Sequence, residues 1–169
     1  MDVKIYDNFL SSRHIKELKD NIFSSNFPWY YQEIVANKKS RFLSGWDYYH
    51  SHRLYNVDHP ASGFFDSIYD IIIPKIKEVT EYHSLIRLKV NYYPYTETVK
   101  EHTQHTDYRF SHYGGILSLN TCNGFTRLFD DTIINSVENK FFIFDPSKPH
   151  NSSTTSDCKR RVNININWL

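Results

Sequence analysis

The chain has 169 residues, with 20 Lys and Arg against 19 Asp and Glu, and 17% of its residues are aromatic. This length predicts a single domain that is large enough to bury a core. The balance of charges leaves no long-range field that would gather nucleic-acid phosphates. Because the sequence also lacks an apolar run of roughly 18 residues, it favours neither a nucleic-acid-binding protein nor a membrane protein.

The first residues, Met1 to Asp7, do not show the basic and then apolar pattern of a signal peptide. We therefore expect a cytoplasmic protein. Two cysteines, Cys122 and Cys158, are more often free than paired in a chain of this kind. The oligomeric state is left open by the sequence.

Two helices are predicted in the N-terminal half. The first has a serine cap, an apolar stripe at helical spacing and a proline beyond its end: Ser11 or Ser12, then Ile15, Leu18, Ile22 and Phe23, then Pro28. The second begins near Ser62 and runs to Val79, with Pro74 kinking or splitting it. Between them, residues 29–55 predict strands and loops, interrupted at Gly45.

Everything after His83 reads as strands and turns, and alternation is strict in the first and the last strand. One face of each strand is apolar: Ile86, Leu88, Val90 and Tyr92 in the first, and Val162, Ile164, Ile166 and Trp168 in the last. The other face is polar: Arg87, Lys89, Asn91 and Tyr93 in the first, and Arg161, Asn163, Asn165 and Asn167 in the last. Each of these two strands is therefore predicted to have one face in an apolar environment and the other in a polar environment.

Six to eight strands preceded by two helices favour a mainly β fold, a jelly roll or double-stranded β-helix with the helices packed on the major sheet. In this interpretation residues 1–169 form one domain, with 1–84 as a helical and strand support and 85–169 as the double-stranded β-helix core. The polar strand faces would line the barrel interior. Because buried polar groups need partners, such an interior indicates a polar ligand.

The most informative pattern is a histidine, a carboxylate two residues later and a distant second histidine: His105, Asp107 and His150. Residues two apart in an extended segment point to the same side, so His105 and Asp107 can occupy adjacent positions around one metal ion. His150 follows a turn-forming segment, residues 145–149, and has to come from another strand. Two imidazoles and one carboxylate are the set that binds non-haem Fe(II) and leaves further positions open.

A nearby histidine, His102, is the weaker candidate, because Gln104 rather than a carboxylate stands two residues after it. A histidine or an H-x-D triplet alone is common by chance in a chain with nine histidines. The prediction of a metal site therefore depends on the order and spacing of the three residues together, in a second half that is rich in strands.

The segment from Leu85 to Leu169 resembles the core of the Fe(II)/2-oxoglutarate-dependent oxygenases, and the N-terminal half resembles the support of their small prolyl-4-hydroxylase-like members. In that family an H-x-D pair, a second His and then a basic residue recur in this order, so the resemblance implies that His105, Asp107 and His150 are iron ligands. Two features depart from the pattern. Prolyl hydroxylases more often have Lys where this chain has Arg, and the segment 95–99 lacks the usual glycine.

The resemblance also implies residues that bind the distal carboxylate of 2-oxoglutarate, and the chain offers Arg160 and Arg161 for this role. Alternation favours Arg161, because Arg160 shares the apolar face of the last strand. Asn91 and Tyr93 resemble an N-x-Y pair that touches the 2-oxoglutarate carboxylates in the nucleic-acid-demethylating branch. A structural role in an aromatic-rich strand explains this pair equally well.

The implied activity uses Fe(II), 2-oxoglutarate and O2, releases succinate and CO2, and hydroxylates an unidentified substrate, such as a prolyl or other peptidyl residue or a small molecule. Substrate-facing positions are predicted after the ligands and before the second helix: Tyr108, Arg109, Phe110, His112 and Tyr113, and the stretch from Trp46 to Tyr55. Two alternatives stay open. One is a cupin-like metal-binding protein or metalloenzyme that does not use 2-oxoglutarate, and the other is a non-catalytic β-sandwich interaction module.

Overall fold

Two antiparallel sheets and two helices make up the part of the chain that the computed structural model describes, residues 1–36 and 45–169. In chain order the elements are β1 (Lys4–Tyr6), α1 (Ser12–Ile22), β2 (Tyr30–Gln32), β3 (Tyr49–Asn56), β4 (His59–Pro60), α2 (Phe65–Val79), β5 (Leu85–Pro94), β6 (Tyr113–Ser118), β7 (Phe125–Leu128), β8 (Ile133–Asn135), β9 (Phe141–Phe144), β10 (His150–Ser152) and β11 (Arg160–Trp168). The prediction of a mainly β chain with two N-terminal helices is confirmed. Part of the predicted strand and loop stretch, residues 37–44, lies outside the described residues.

The larger sheet has the strand order β1-β9-β6-β11-β5-β3-β2, with β4 paired to β3, and the smaller sheet has the order β10-β7-β8. At the centre of the larger sheet β5 and β11 pair along almost their whole length, with Asn163 opposite Asn91 and Arg161 opposite Tyr93. Directly opposed residues of an antiparallel pair share a face of the sheet. The polar faces predicted for these two strands therefore lie side by side.

Both helices begin close to the predicted positions. The hydroxyl of Ser11 accepts a hydrogen bond from the backbone N–H of His14 at 3.2 Å, so Ser11 is the cap of α1. Helix α2 starts at Phe65, shortly after the predicted Ser62, and is continuous through Pro74 to Val79. Of the two alternatives predicted for Pro74, a kink or a split of the helix, the split is therefore wrong. Pro74 is exposed, and water can satisfy the carbonyl that the proline leaves without a donor.

The main core joins the helices to the apolar faces of the two central strands. One hydrophobic cluster contains Leu18, Ile22, Ile68, Ile72 and Ile76 of the helices, and Leu88, Val90, Val162, Ile164, Ile166 and Trp168 of β5 and β11. The predicted stripe needs one correction at the start of β5. The pairing shifts between Asn167 and Trp168, so Trp168 pairs with Leu85, and Leu85 joins the cluster instead of Ile86. A β-bulge of this kind moves one residue out of alternation.

Within residues 1–36 and 45–169, neither helix has the length and apolar character needed to cross a lipid bilayer. The thiols of Cys122 and Cys158 are not joined to each other.

Candidate metal centre

Three potential metal ligands converge where the smaller sheet meets the segment before β6. The side-chain ligand atoms of His105, Asp107 and His150 all lie within 4.8 Å of one another. Backbone pairing brings them together: His105 and His150 exchange two N–H···O bonds of 2.9 Å, and the N–H of Asp107 donates to the carbonyl of Pro146 at 2.9 Å. Residues that are far apart in the sequence thus form a single cluster across two paired segments.

The turn before His150 fixes the orientation of its ring. The Asp145 carboxylate accepts hydrogen bonds from the backbone N–H of Ser147 at 3.1 Å and from its hydroxyl at 2.5 Å. Nδ1 of His150 lies 3.0 Å from the carbonyl oxygen of Lys148, so this nitrogen carries the proton and donates it. The lone pair of Nε2 is then free to bind a metal ion.

Asp107 is held by one of its two carboxylate oxygens. Oδ2 accepts from Nη2 of Arg87 at 2.8 Å and from the amide of Asn167 at 2.9 Å. The other oxygen, Oδ1, lies 3.9 Å from Nε2 of His105. One oxygen is therefore fixed by the protein, and the other faces the imidazoles as a single ligand atom. Outer partners of this kind orient a ligand and tune the metal site.

Arg87 and Asn167 were not singled out as site residues from the sequence. Both belong to the polar faces of the two central strands, where they lie opposite each other. The alternation pattern placed them on the correct side, but no motif connects them to Asp107. Their contacts with the carboxylate depend on the path of the segment that carries the ligands.

The surroundings set the protonation states that a divalent metal ion requires. Burial, and then the neighbouring His150, lower the pKa of His105 to about 4. Burial also lowers the pKa of His150. For Asp107 burial acts to raise the pKa, but Arg87 and Lys89 outweigh it, so the carboxyl pKa lies well below its ordinary value. Near neutral pH the cluster thus offers two neutral imidazoles and one carboxylate, the forms that bind metal.

The cluster opens onto a small polar cavity. Its wall includes the polar faces of β5 and β11, with Lys89, Asn91, Tyr93, Asn163 and Asn165. The amide nitrogen of Asn91 donates to Oδ1 of Asn163 at 3.1 Å, whereas the buried Oδ1 of Asn91 has no protein partner. Burial raises the pKa of Tyr93 to about 12. The polar interior predicted from alternation is thus present, and both Asn91 and Tyr93 lie in it.

Lys89 is the one ammonium group among these wall residues. It is half-buried, and its Nζ lies 5.8 Å from the centroid of the Tyr49 ring. Burial, followed by the nearby Arg87, lowers the pKa of Lys89 to about 7, while Asp107 opposes that shift.

Arg161 lies behind Tyr93, 1% exposed, with its guanidinium carbon 5.4 Å from the Tyr93 ring centroid. Its donors reach three neutral acceptors: Oγ of Ser136 at 2.6 Å, the carbonyl of Ser153 at 3.1 Å and Oγ1 of Thr126 at 2.9 Å. Burial lowers the pKa of this group. A guanidinium has five N–H donors, so two are left without a partner among the described residues. None of its three acceptors is a carboxylate.

Arg160, unlike Arg161, lies away from the cavity and is therefore not placed to bind the distal carboxylate of 2-oxoglutarate. It is half-buried, lies opposite Pro94 in the sheet, and places its guanidinium carbon 4.4 Å from the ring centroid of Phe23 at the end of α1. Successive residues of a strand point to opposite faces. Arg160 therefore lies on the helix side of the sheet and does not line the cavity.

His102 does not belong to the ligand cluster, in agreement with the sequence argument. Its ring is 3% exposed and lies 5.3 Å from the ring of Tyr93, with Nδ1 at 2.9 Å from Oγ of Ser152. Nε2 is buried and has no protein partner. Burial, and then Arg161, lower the pKa of His102 to about 4. This histidine is neutral near pH 7 and lies behind the cavity wall, against Tyr93 and Ser152.

The residues predicted to face the substrate differ in location: one lines the cavity, some lie near Arg87, and others pack against neighbouring side chains. Tyr49 lines the cavity and stacks on Tyr93, with ring centroids 5.7 Å apart. Tyr108 and Phe110 stack at 5.4 Å beside Arg87, and Phe110 and Arg109 are exposed. Two other residues have structural contacts: His112 is buried against the amide of Asn167 at 3.1 Å, and Tyr113 stacks on Trp168 at 5.5 Å. The structure therefore corrects the prediction for Tyr113, which packs against the core.

No protein-family model matches the sequence, and no curated protein matches it either. Solved structures do match in fold. A viral collagen prolyl hydroxylase from Paramecium bursaria Chlorella virus-1, in complex with 2-oxoglutarate, has a TM-score of 0.63 and 13% identity over 99% of this chain and 96% of its own. A prolyl hydroxylase from Trichoplax adhaerens has a TM-score of 0.64 and 14% identity over 99% and 83% of the two chains.

A third similar structure has a different named activity. The non-haem α-ketoglutarate-dependent epimerase SnoN from nogalamycin biosynthesis has a TM-score of 0.72 and 10% identity, covering 99% of this chain and 77% of its own. Two of these three structures are named with 2-oxoglutarate, which is also called α-ketoglutarate. Their likeness extends over nearly the whole chain, and it shows that this protein has the fold of the 2-oxoglutarate–Fe(II) oxygenases.

Proposed function

We propose that the protein is an Fe(II)/2-oxoglutarate-dependent dioxygenase that hydroxylates its substrate and releases succinate and CO2. One observation carries the proposal. A cluster of two histidines and one carboxylate opens onto a polar cavity, and a buried arginine without a carboxylate partner among the described residues lies behind its wall. This arrangement suits a metal ion at one end and a carboxylate at the other.

The donor set fits Fe(II). Two neutral imidazoles and one carboxylate, His105, His150 and Asp107, would hold the ion and leave positions open for other ligands. An Fe(II) ion bound there would supply the redox chemistry that couples decarboxylation of 2-oxoglutarate by O2 to hydroxylation of a substrate C–H bond. Arg87 and Asn167 keep Oδ2 of Asp107 occupied, so that Oδ1 would be the oxygen left to hold the ion.

The cosubstrate would extend from the metal ligands toward Arg161. The two free N–H groups of Arg161 would bind the distal carboxylate, and the hydroxyl of Tyr93 would donate to the same group. Asn91 lies on the wall between these two ends. A fixed set of donors in a buried site orients a dicarboxylate and excludes water from it.

A prolyl or other peptidyl residue is the substrate class that we propose to test first. It is supported by the two similar structures that are named prolyl hydroxylases. SnoN is named an epimerase, so the fold alone does not select a substrate. The aromatic group of Tyr49, Tyr108 and Phe110 near the site is suited to contacts with a peptide or a small polar molecule.

The test is an anaerobic titration of the protein with Fe(II) and then with 2-oxoglutarate, monitored through the metal-to-ligand charge-transfer absorption band. Succinate release is then measured under O2 with a panel of peptides. The wild type should show the band, and His105→Ala, Asp107→Ala and His150→Ala should not. His83→Ala is a matched control, because His83 is exposed and belongs to neither the ligand cluster nor the cavity wall.

Two results would contradict the proposal. Undiminished 2-oxoglutarate decarboxylation in the three ligand variants would exclude the cluster as the reaction centre. A folded, iron-loaded wild type without the absorption band would favour the alternative of a cupin-like metalloprotein that does not use 2-oxoglutarate.

A further inference from the structure

Lys89 places its amino group on the cavity wall at a position that the proposed function does not use. It lies on the polar face of β5, where it pairs with Asn165 of β11, and it lines the cavity together with the metal ligands. Its nearest described aromatic contact is Tyr49, at 5.8 Å. A lysine on a cavity wall is costly to desolvate unless an anion accompanies it.

The neighbouring cations already have their anions. Arg87 is paired with Asp107 at 2.8 Å, and Arg161 is assigned to the distal carboxylate of the cosubstrate. Lys89 has no carboxylate within 4.0 Å of its Nζ among residues 1–36 and 45–169. A carboxylate bound beside Lys89 would supply the anion that its ammonium group lacks among these residues.

The strand register gives the location of this charge. Arg161 lies opposite Tyr93, Lys89 lies opposite Asn165, and Arg87 lies opposite Asn167, whose amide holds Asp107. Lys89 is thus four residues from Tyr93 along β5, roughly 13 Å at the rise of a strand, and only two from Arg87. It stands at the metal end of the cavity, well separated from Arg161.

We propose that Lys89 is a second carboxylate-binding residue of the cavity, which binds a carboxylate at the metal end while Arg161 binds one at the far end. This inference rests on the proposed function. The carboxylate has two chemical sources: the 2-oxo acid group of the cosubstrate, which lies next to the metal ion, or an acidic group of the primary substrate. Both require the same ammonium-to-carboxylate contact.

The experiment measures binding to the Zn(II)-loaded protein, in which no oxidation can occur. Affinities for 2-oxoglutarate and for 2-oxopentanoate, which has the same 2-oxo acid group but no distal carboxylate, are determined by calorimetry for the wild type, Lys89→Met and Lys89→Arg. Acetate is then added to the Zn(II) and 2-oxoglutarate complex, and its binding is followed by saturation-transfer NMR, with acetamide as the uncharged control.

If the cosubstrate supplies the carboxylate, Lys89→Met weakens binding of both 2-oxo acids by a similar factor, roughly 10- to 100-fold, because a charge-assisted hydrogen bond is lost. Lys89→Arg then restores most of the affinity. If the substrate supplies it, both 2-oxo acids bind Lys89→Met as they bind the wild type, but the acetate signal disappears. Unchanged 2-oxo acid affinity together with an unchanged acetate signal would overturn the inference.

Two controls keep the outcomes distinct. Lys16→Met removes an exposed lysine charge on α1, and it should change neither the affinities nor the acetate signal. Lys89→Met should also unfold at the same temperature as the metal-free wild type or higher, because it replaces a desolvated charge by an apolar side chain of similar length. A wild type that binds Zn(II) but neither 2-oxo acid would contradict the proposed function, and acetate binding to the Zn(II) protein would still test Lys89.

Discussion

Arg160 and Arg161 are adjacent in the chain, yet their guanidinium groups lie on opposite faces of β11. Arg160 stacks on Phe23 at the helix side. Arg161 is buried behind the cavity wall and donates to Ser136 and Thr126 at 2.6 Å and 2.9 Å. A buried cation with neutral partners is poorly compensated, so a carboxylate from a ligand should bind strongly there.

Arg161→Lys should weaken 2-oxoglutarate binding to the metal-loaded protein by roughly 10- to 100-fold, because an ammonium group cannot reproduce the planar fork of donors. The variant should also lose about 1–3 kcal/mol of stability, since buried hydroxyls lose their donors. Calorimetry and urea unfolding measure the two effects. Arg160→Lys is the matched control, and equal losses of affinity in both variants would contradict the assignment of Arg161.

The ligands themselves were predictable from the sequence, whereas their support was not. His105, Asp107 and His150 follow a pattern whose chemistry is specific for a metal ion. Arg87 and Asn167 could be placed on the cavity side by alternation, but their bonds to Asp107 arise from the path of a loop. Side-chain contacts between distant segments leave no periodic signal in a sequence.

Helix α2 tolerates a proline in its interior, at Pro74, on its exposed side. Proline in a helix interior costs about 3 kcal/mol relative to alanine. Pro74→Ala should therefore stabilise the protein, by about 1–3 kcal/mol, because it restores a backbone hydrogen bond without disturbing the core. The measurement is the free energy of unfolding in urea. Lys75→Ala, at the next position, is the control, and a Pro74→Ala variant less stable than the wild type would show that the proline shapes the helix for packing.

Asn139 joins the segment before α1 to the start of β9. Its backbone carbonyl accepts from the N–H of Phe9 at 3.0 Å, and its side chain both accepts from and donates to the backbone of Leu10 at 2.9 Å and 2.8 Å. The residue is 7% exposed and has a φ of 61°. Asparagine combines tolerance of this left-handed conformation with a side chain that satisfies a buried backbone.

Asn139→Ala should lower the free energy of unfolding by about 3 kcal/mol, because it removes two buried hydrogen bonds and adds a strained Cβ conformation. Asn139→Gly removes the same bonds without the conformational strain, so it should be about 1 kcal/mol more stable than the alanine variant. Urea unfolding of the two variants separates these contributions. A glycine variant less stable than the alanine variant would exclude the left-handed backbone as a source of the loss.

The long strands were easier to predict than the short ones. The alternation of β5 and β11 gave the correct inner and outer faces, because each strand is long and has one polar side. Strands β2 and β4 have three and two residues and exist through pairing with β3, so no local pattern marks them. The shift that replaces Ile86 by Leu85 in the core is likewise set by the partner strand.

At the scale of the whole molecule, the cavity makes stability depend on pH. The pKa of His102 is lowered to about 4 from an ordinary value of 6.5, and that of His105 is lowered to about 4. The unfolded chain therefore binds more protons than the folded protein between about pH 6.5 and pH 4. The stabilisation is fully present above this range and is lost as the pH falls through it.

His102→Gln should reduce this acid sensitivity in the metal-free protein. Protonation of the buried ring would place an N–H on Nε2, which has no protein acceptor, and the charge would lie near Arg161. The pKa difference implies that His102 alone removes about 2 kcal/mol between pH 7 and pH 5. The loss of unfolding free energy between pH 7 and pH 5 should therefore be about 2 kcal/mol smaller in His102→Gln than in the wild type. This comparison does not depend on how stable the variant is at pH 7.

The control for this prediction is His83→Gln, which replaces an exposed histidine outside both the ligand cluster and the cavity wall. The loss of unfolding free energy between pH 7 and pH 5 should be the same in this control variant as in the wild type. If His102→Gln also matches the wild type, the acid sensitivity arises elsewhere, and the two metal ligands are the next groups to examine. Saturating Zn(II) distinguishes the two ligand histidines from His102, because a bound metal ion excludes protons from His105 and His150 but not from His102.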